Sequence, residues 1–189
     1  MRRATFTSLI GAAILAAGLV PLTATPANAM PAGWFHLRGT TKDKIAPFAL
    51  RAMDVQWAPD GKITGSVRLN ASTFAKDSQL WKVRFPSTGQ IGEVKLENKL
   101  TGRCILFGGR RMQDGGGTAA GLGPCSSNTV WMAIPMGPRK YAFRSRANAP
   151  AHPMCLSKGT TGNPEFLRLK DCSDNRFTPE MVWETYTSG

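Results

Sequence analysis

The feature that most constrains this chain is a repeat. Gly102-Arg-Cys104-Ile-Leu leads into a Gly-rich loop, then Leu122-Gly-Pro-Cys125 and Trp131. The order recurs as Met154-Cys155-Leu, a Gly-containing loop, Leu169-Lys-Asp-Cys172 and Trp183. The first third carries a degenerate copy without cysteines, in which Leu69-Asn-Ala-Ser72 takes the Leu-x-x-Cys place and Gln79-Leu80-Trp81 closes the unit. Trp81, Trp131 and Trp183 therefore recur at intervals of 50 and 52 residues, a threefold pattern. A unit of four short strands cannot cover both of its faces alone. Three such units close a small barrel with a hairpin cap, which removes most exposed strand edges. One indole per unit fills the shared interior, each burying on the order of 150–250 Å².

The local pattern agrees with an all-β chain. Short alternating or β-rich runs such as Lys62-Ile-Thr-Gly-Ser-Val-Arg-Leu69, Glu93-Val-Lys-Leu96, Lys140-Tyr-Ala-Phe-Arg144 and Phe166-Leu-Arg-Leu169 end near turn formers. No long helical period interrupts them.

The N-terminus sets the expected compartment. Arg2 and Arg3 precede a short apolar run at residues 9–20, Pro21 breaks it, and Ala27-Asn28-Ala29 offers small residues for cleavage. The run is shorter than the roughly 20 residues a membrane span needs. Residues 1–29 are thus expected to be a signal peptide and the protein to be secreted. Residues 30–46 read as an N-terminal extension, a candidate partner-docking segment, and residues 47–187 as one domain. All four cysteines fall in the exported part, where an even count argues for disulfides. The repeat symmetry favours Cys104–Cys125 and Cys155–Cys172, with crossed pairings as the alternative. The chain has no Cys-x-x-Cys pair, and His36 and His152 lie far apart, so a zinc site is not expected.

On these residues the chain resembles the ricin-type lectin family, whose repeats carry a Cys-Leu start, a Leu-x-x-Cys strand and a closing Gln-x-Trp. Gln79-Leu80-Trp81 matches the closing motif in full; Thr129-Val130-Trp131 and Met181-Val182-Trp183 keep the Trp. Within that family it resembles subunits A and C of cytolethal distending toxin, through Cys125-Ser-Ser-Asn-Thr-Val-Trp131-Met-Ala-Ile-Pro135, Lys140-Tyr-Ala-Phe-Arg-Ser145 and Phe166-Leu-Arg-Leu-Lys-Asp-Cys172. Phe48-Ala-Leu-Arg51 resembles the strand that opens their folded domain. The resemblance implies a ricin-like β-trefoil that binds a host-cell or microbial surface glycan, or a sterol-rich membrane. It also implies a nuclease-type toxin subunit and a second trefoil subunit as partners. The family's sugar site uses an Asp shortly after the first Cys-Leu. Cys104-Ile-Leu-Phe107 and Cys155-Leu-Ser-Lys158 lack it, which argues against galactose binding of the usual kind.

Candidate site residues are few. Trp57, beside the turn at Asp60-Gly61, is a candidate for stacking on a sugar face, with packing under the hairpin cap as the alternative. Asn128, three residues before Trp131, matches the family's sugar-contacting Asn; an Asx-turn role is the alternative. Arg139, Lys140, Arg144 and Arg146 form a basic cluster that also reads as a solvated face. The stretch from Gly108 to Gly117 lacks the Gly-Lys-Ser/Thr ending of a phosphate loop. No cofactor is implied, and no Ser-His-acid order or distinctive acidic pair marks an enzyme. Lys and Arg number 24 against 12 acids, a net +12 that favours anionic partners such as an acidic glycan or an anionic membrane surface. No motif specifies a nucleic acid. The expected function is a secreted cell-surface-binding subunit that delivers or localises a partner, against a free-standing lectin-like protein. A β-trefoil protease inhibitor is the third reading.

Overall fold

The computed structural model describes residues 30–41, 51–57, 60–73, 76–87, 90–108, 118–146, 153–159, 166–173 and 176–187. Residues 1–29, expected from sequence to be a signal peptide, Phe48 and residues 109–117 lie outside them. Among the described residues, thirteen strands fall into three sequential sets. The first holds β1 (His36–Gly39), β2 (Arg51–Trp57), β3 (Ile63–Ala71) and β4 (Trp81–Arg84). The second holds β5 (Glu93–Asn98), β6 (Cys104–Leu106), β7 (Thr118–Ala119), β8 (Gly121–Gly123) and β9 (Trp131–Gly137). The third holds β10 (Lys140–Ser145), β11 (Met154–Lys158), β12 (Leu167–Asp171) and β13 (Val182–Tyr186).

The first and last strands of each set form a ring. β1 pairs β13, β13 pairs β10, β10 pairs β9, β9 pairs β5 and β5 pairs β4. A bridge between Phe35 and Trp81 closes it, the two residues exchanging backbone hydrogen bonds of 2.9 and 2.8 Å. Every ring strand thereby has two neighbours, so among the described residues the ring itself presents no open edge. Six of the remaining strands form three hairpins, β2–β3, β6–β8 and β11–β12, at equivalent places in the three sets, and β7 pairs β12. Alternation sets the side-chain directions: in β4, Trp81 and Val83 are buried while Lys82 and Arg84 are exposed.

Trp81, Trp131 and Trp183 are completely buried and share one core with Phe35, Leu37, Leu69, Leu96, Tyr141 and Phe143. Each indole N–H is satisfied in the same way. Trp81 Nε1 donates to the carbonyl of Met53 at 3.0 Å, Trp131 Nε1 to Ile105 at 2.9 Å, and Trp183 Nε1 to Leu156 at 3.0 Å. Each bond ties the last strand of a set to its own hairpin. A buried indole without such an acceptor would be destabilising by about 1–3 kcal/mol.

Both disulfides are local, Cys104–Cys125 and Cys155–Cys172, with Cα separations of 5.0 and 5.7 Å. Each pins the start of a hairpin to its end. In the first set Ala52 and Ser72 hold these places, and Arg38 Nε donates to Ser72 Oγ at 3.1 Å while its guanidinium lies 3.9 Å from the Tyr186 ring centroid.

Part of the segment read from sequence as an extension, residues 30–46, falls among the described residues. Its residues His36 to Gly39 form β1, in register with Tyr186 to Trp183, and Phe35 is buried in the core. Three of the four β1 residues are buried, so the strand lacks the polar alternation that would have marked it.

Candidate functional site

The hairpin registers fix which residues correspond. Met53 faces Leu69, Ile105 faces Leu122, and Leu156 faces Leu169. One step further, Asp54 faces Arg68, Leu106 faces Gly121, and Ser157 faces Arg168. Of these three equivalent positions only the first carries an acid.

Asp54 is 2% exposed. Burying a carboxylate is costly unless it is hydrogen-bonded, and here one oxygen is. Asn70 Nδ2 donates to Asp54 Oδ2 at 2.8 Å, and Gln79 Nε2 donates to the same oxygen at 3.2 Å. Gln79, wholly buried, also donates to the Ala71 carbonyl at 2.9 Å and accepts the Thr73 N–H at 2.8 Å. The carboxylate is therefore held rigidly. Its other oxygen, Oδ1, is buried and has no hydrogen-bond partner among the described residues; the same holds for Nε of Arg68.

These groups line a cleft of about 350 Å³, formed by Asp54, Arg68, Asn70, Lys76, Asp77, Ser78 and Leu100. A 3-10 turn, Asp77–Gln79, presents Asp77 and Ser78 to it, and Lys99 holds Asp77 at 2.9 Å. Leu100, 41% exposed, adds an apolar wall. An oriented carboxylate acceptor, amide and hydroxyl groups and one apolar wall suit a polyhydroxylated ligand with a CH face.

No protein-family model and no curated protein matches the chain. Solved structures do. The β-trefoil BEL aligns over 84% of this chain and 97% of its own, with a TM-score of 0.55 and 14% identity. The Rhizoctonia solani agglutinin aligns over 85% and 98%, TM-score 0.58, 12% identity. The Haemophilus ducreyi cytolethal distending toxin aligns over 84% and 87%, TM-score 0.55, 12% identity. The fold is a β-trefoil. The fold class read from the repeat, with its two intra-repeat disulfides, agrees with this.

Within the trefoil, the acid absent from the two cysteine-bearing repeats is present in the first, cysteine-free one. Asp54 follows Ala52-Met53, which stands where Cys104-Ile105 and Cys155-Leu156 stand in the others. The missing cysteine hid it. Asn128 is exposed, on a 3-10 turn of the second repeat, where its carbonyl accepts the Phe107 N–H at 3.1 Å. It does not line the cleft. Its counterpart three residues before the first-repeat Trp is Ser78, which does. The trefoil thus separates the two features, with the acid in the first repeat and the Asn in the second. Trp57 ends β2, three residues beyond Asp54 and across from Ile63.

The basic cluster is partly neutralised. Arg139 lies 3.8 Å from Glu184, and Arg146 pairs with the buried Glu93. Among the described residues no group of three or more His, Cys, Asp or Glu could hold a metal ion, and no helix is long and apolar enough to cross a membrane.

Proposed function

We propose that this protein is a secreted glycan-binding module that seats a sugar in the Asp54 cleft, and that its work is binding rather than catalysis. The observation that carries this reading is the buried, partnerless Oδ1 of Asp54, a residue that lines the cleft and whose Oδ2 is already engaged by two amide donors. A dry carboxylate oxygen calls for a donor, and sugar hydroxyls supply donors in pairs. Its place in the repeat is that of the family's sugar-binding Asp. The fold likeness to the Rhizoctonia solani agglutinin supports the same reading. Two disulfides fit an oxidising, extracellular compartment.

The finer version makes the module a cell-surface-binding subunit that delivers or localises a partner, as the fold likeness to the Haemophilus ducreyi toxin and the matched sequence segments suggest. A free-standing lectin-like protein is the second reading, supported by the Rhizoctonia solani agglutinin, which aligns over 98% of its own length.

A glycan array probed with the mature protein at low and high salt tests the main claim. Binding to defined sugars that survives salt supports it. Binding to every anionic surface that vanishes in salt reports the net positive charge alone and overturns it. Co-purification with a nuclease-type protein separates the subunit from the free-standing lectin.

A further inference from the structure

We propose that the Asp54 cleft selects a negatively charged sugar, with Asp54 taking its hydroxyls and Arg68, assisted by Lys76, taking its anionic substituent. This deepens the glycan-binding reading and rests on it. The charges in and beside the cleft do not cancel. Arg68, Lys76 and Lys99 oppose Asp54 and Asp77, and Lys99 is already engaged with Asp77 at 2.9 Å. Asp54 Oδ2 accepts hydrogen bonds from two neutral amides, Asn70 and Gln79, rather than from a cation. Arg68 faces Asp54 across the β2–β3 hairpin, and its Nε is buried without a hydrogen-bond partner among the described residues. A buried guanidinium N–H left unpaired is unfavourable. One negative charge on the ligand fills that vacant hydrogen-bonding role and balances the excess cation.

A neutral hexose would use Asp54 and leave Arg68 unmatched. A carboxylate or sulfate on the sugar would match both, and a guanidinium binds either through paired N–H donors. The position is specific to this repeat: Gly121 stands there in the second, and in the third Arg168 faces Ser157 rather than an acid.

The test is titration of the mature protein with lactose, sialyllactose, 3′-sulfated lactose and digalacturonate, repeated with Arg68→Gln, Lys76→Met and, as a distant charge control, Lys140→Gln. Thermal melts check folding, and Lys76→Met serves should Arg68→Gln not fold. The wild type is expected to bind at least one anionic sugar about tenfold or more tightly than lactose. Arg68→Gln should abolish that preference, lowering affinity for the anionic sugar more than for lactose, and Lys140→Gln should leave the preference intact. Preference for sialyllactose or digalacturonate identifies a carboxylate, and preference for the sulfated sugar a sulfate. Equal or tighter binding of lactose, or a preference that survives Arg68→Gln or disappears with Lys140→Gln, overturns the charge selectivity while the glycan-binding reading stands. If none of the sugars binds, the glycan-binding reading itself falls.

Discussion

The side-chain amide of Gln79 donates to Oδ2 of Asp54 at 3.2 Å, from a position two residues before a core tryptophan. The repeat motif and the candidate site therefore share a residue. In the third repeat the equivalent residue is Met181, buried against the Cys155–Cys172 disulfide. In the second it is Thr129, whose hydroxyl donates to the Ser126 carbonyl at 2.7 Å. Where a disulfide pins the hairpin, the Gln is dispensable. Where none does, Gln79 ties Ala71, Thr73 and Asp54 together.

Gln79→Met should accordingly be destabilising even though Met is native at the third-repeat position. It strips partners from the Thr73 N–H and the Ala71 carbonyl and one donor from the Asp54 carboxylate. The expected loss is about 2 kcal/mol or more, since buried groups left unpaired cost about 1–3 kcal/mol each. Urea unfolding measures it; a midpoint shift within error would refute the role given to Gln79.

Trp131→Phe and Trp183→Phe should each cost several kcal/mol. Both leave a buried carbonyl, of Ile105 or Leu156, without its indole donor, and both create a cavity. Paired with each other they test whether the threefold sites couple through the shared core. Their losses should depart from additivity, because residues of one packed cluster interact.

The registers place Ala52 opposite Asn70, as Cys104 is opposite Gly123 and Cys155 opposite Lys170. Ala52→Cys with Ser72→Cys should therefore form a third disulfide. Closing a loop of that size is worth about 3 kcal/mol on the loop-entropy model, less the lost Arg38 bond to Ser72. A thiol count on the unfolded protein decides it: no free thiols supports the threefold equivalence, two free thiols contradict it.

Acid should weaken the fold through His36. Burial, and secondarily the charge of Arg38, lowers its pKa below the ordinary 6.5. The unfolded chain then takes up the proton first as pH falls, so the stabilisation is complete above about 6.5 and is lost below it, towards the folded-state value. Glu180, lowered from 4.5 chiefly by the Thr178 side chain, acts only below that window. Melting temperatures from pH 8 to 5 should fall for the wild type and fall less for His36→Gln; parallel curves would remove His36 from the account.

The sequence made the threefold plan legible because its markers are rare and physically obligatory. Each indole must be buried with an acceptor, and each cysteine pair must close a short loop, so Trp81, Trp131, Trp183 and the four cysteines announce their own registers. Asp54 was not legible for the complementary reason. The first repeat has Ala52 and Ser72 where the others have cysteines, which leaves no anchor from which to count to the acid. β1 escaped because a short strand buried nearly throughout shows no alternation. Asn128 matched a motif by its distance from Trp131, but the acid it needs is replaced there by Leu106.

The central claim is that Asp54 Oδ1 receives a sugar hydroxyl. The most direct measurement is calorimetric titration of Asp54→Asn with the best glycan found on the array. The Asn can keep its carbonyl towards Asn70 and Gln79 while turning an NH₂ towards the cleft, exchanging an acceptor for a donor with little change of shape. With the melting temperature confirming the fold, affinity should drop about tenfold or more, the scale of one lost charge-assisted hydrogen bond. Unchanged affinity in a folded Asp54→Asn would contradict the account and place the sugar elsewhere on the trefoil.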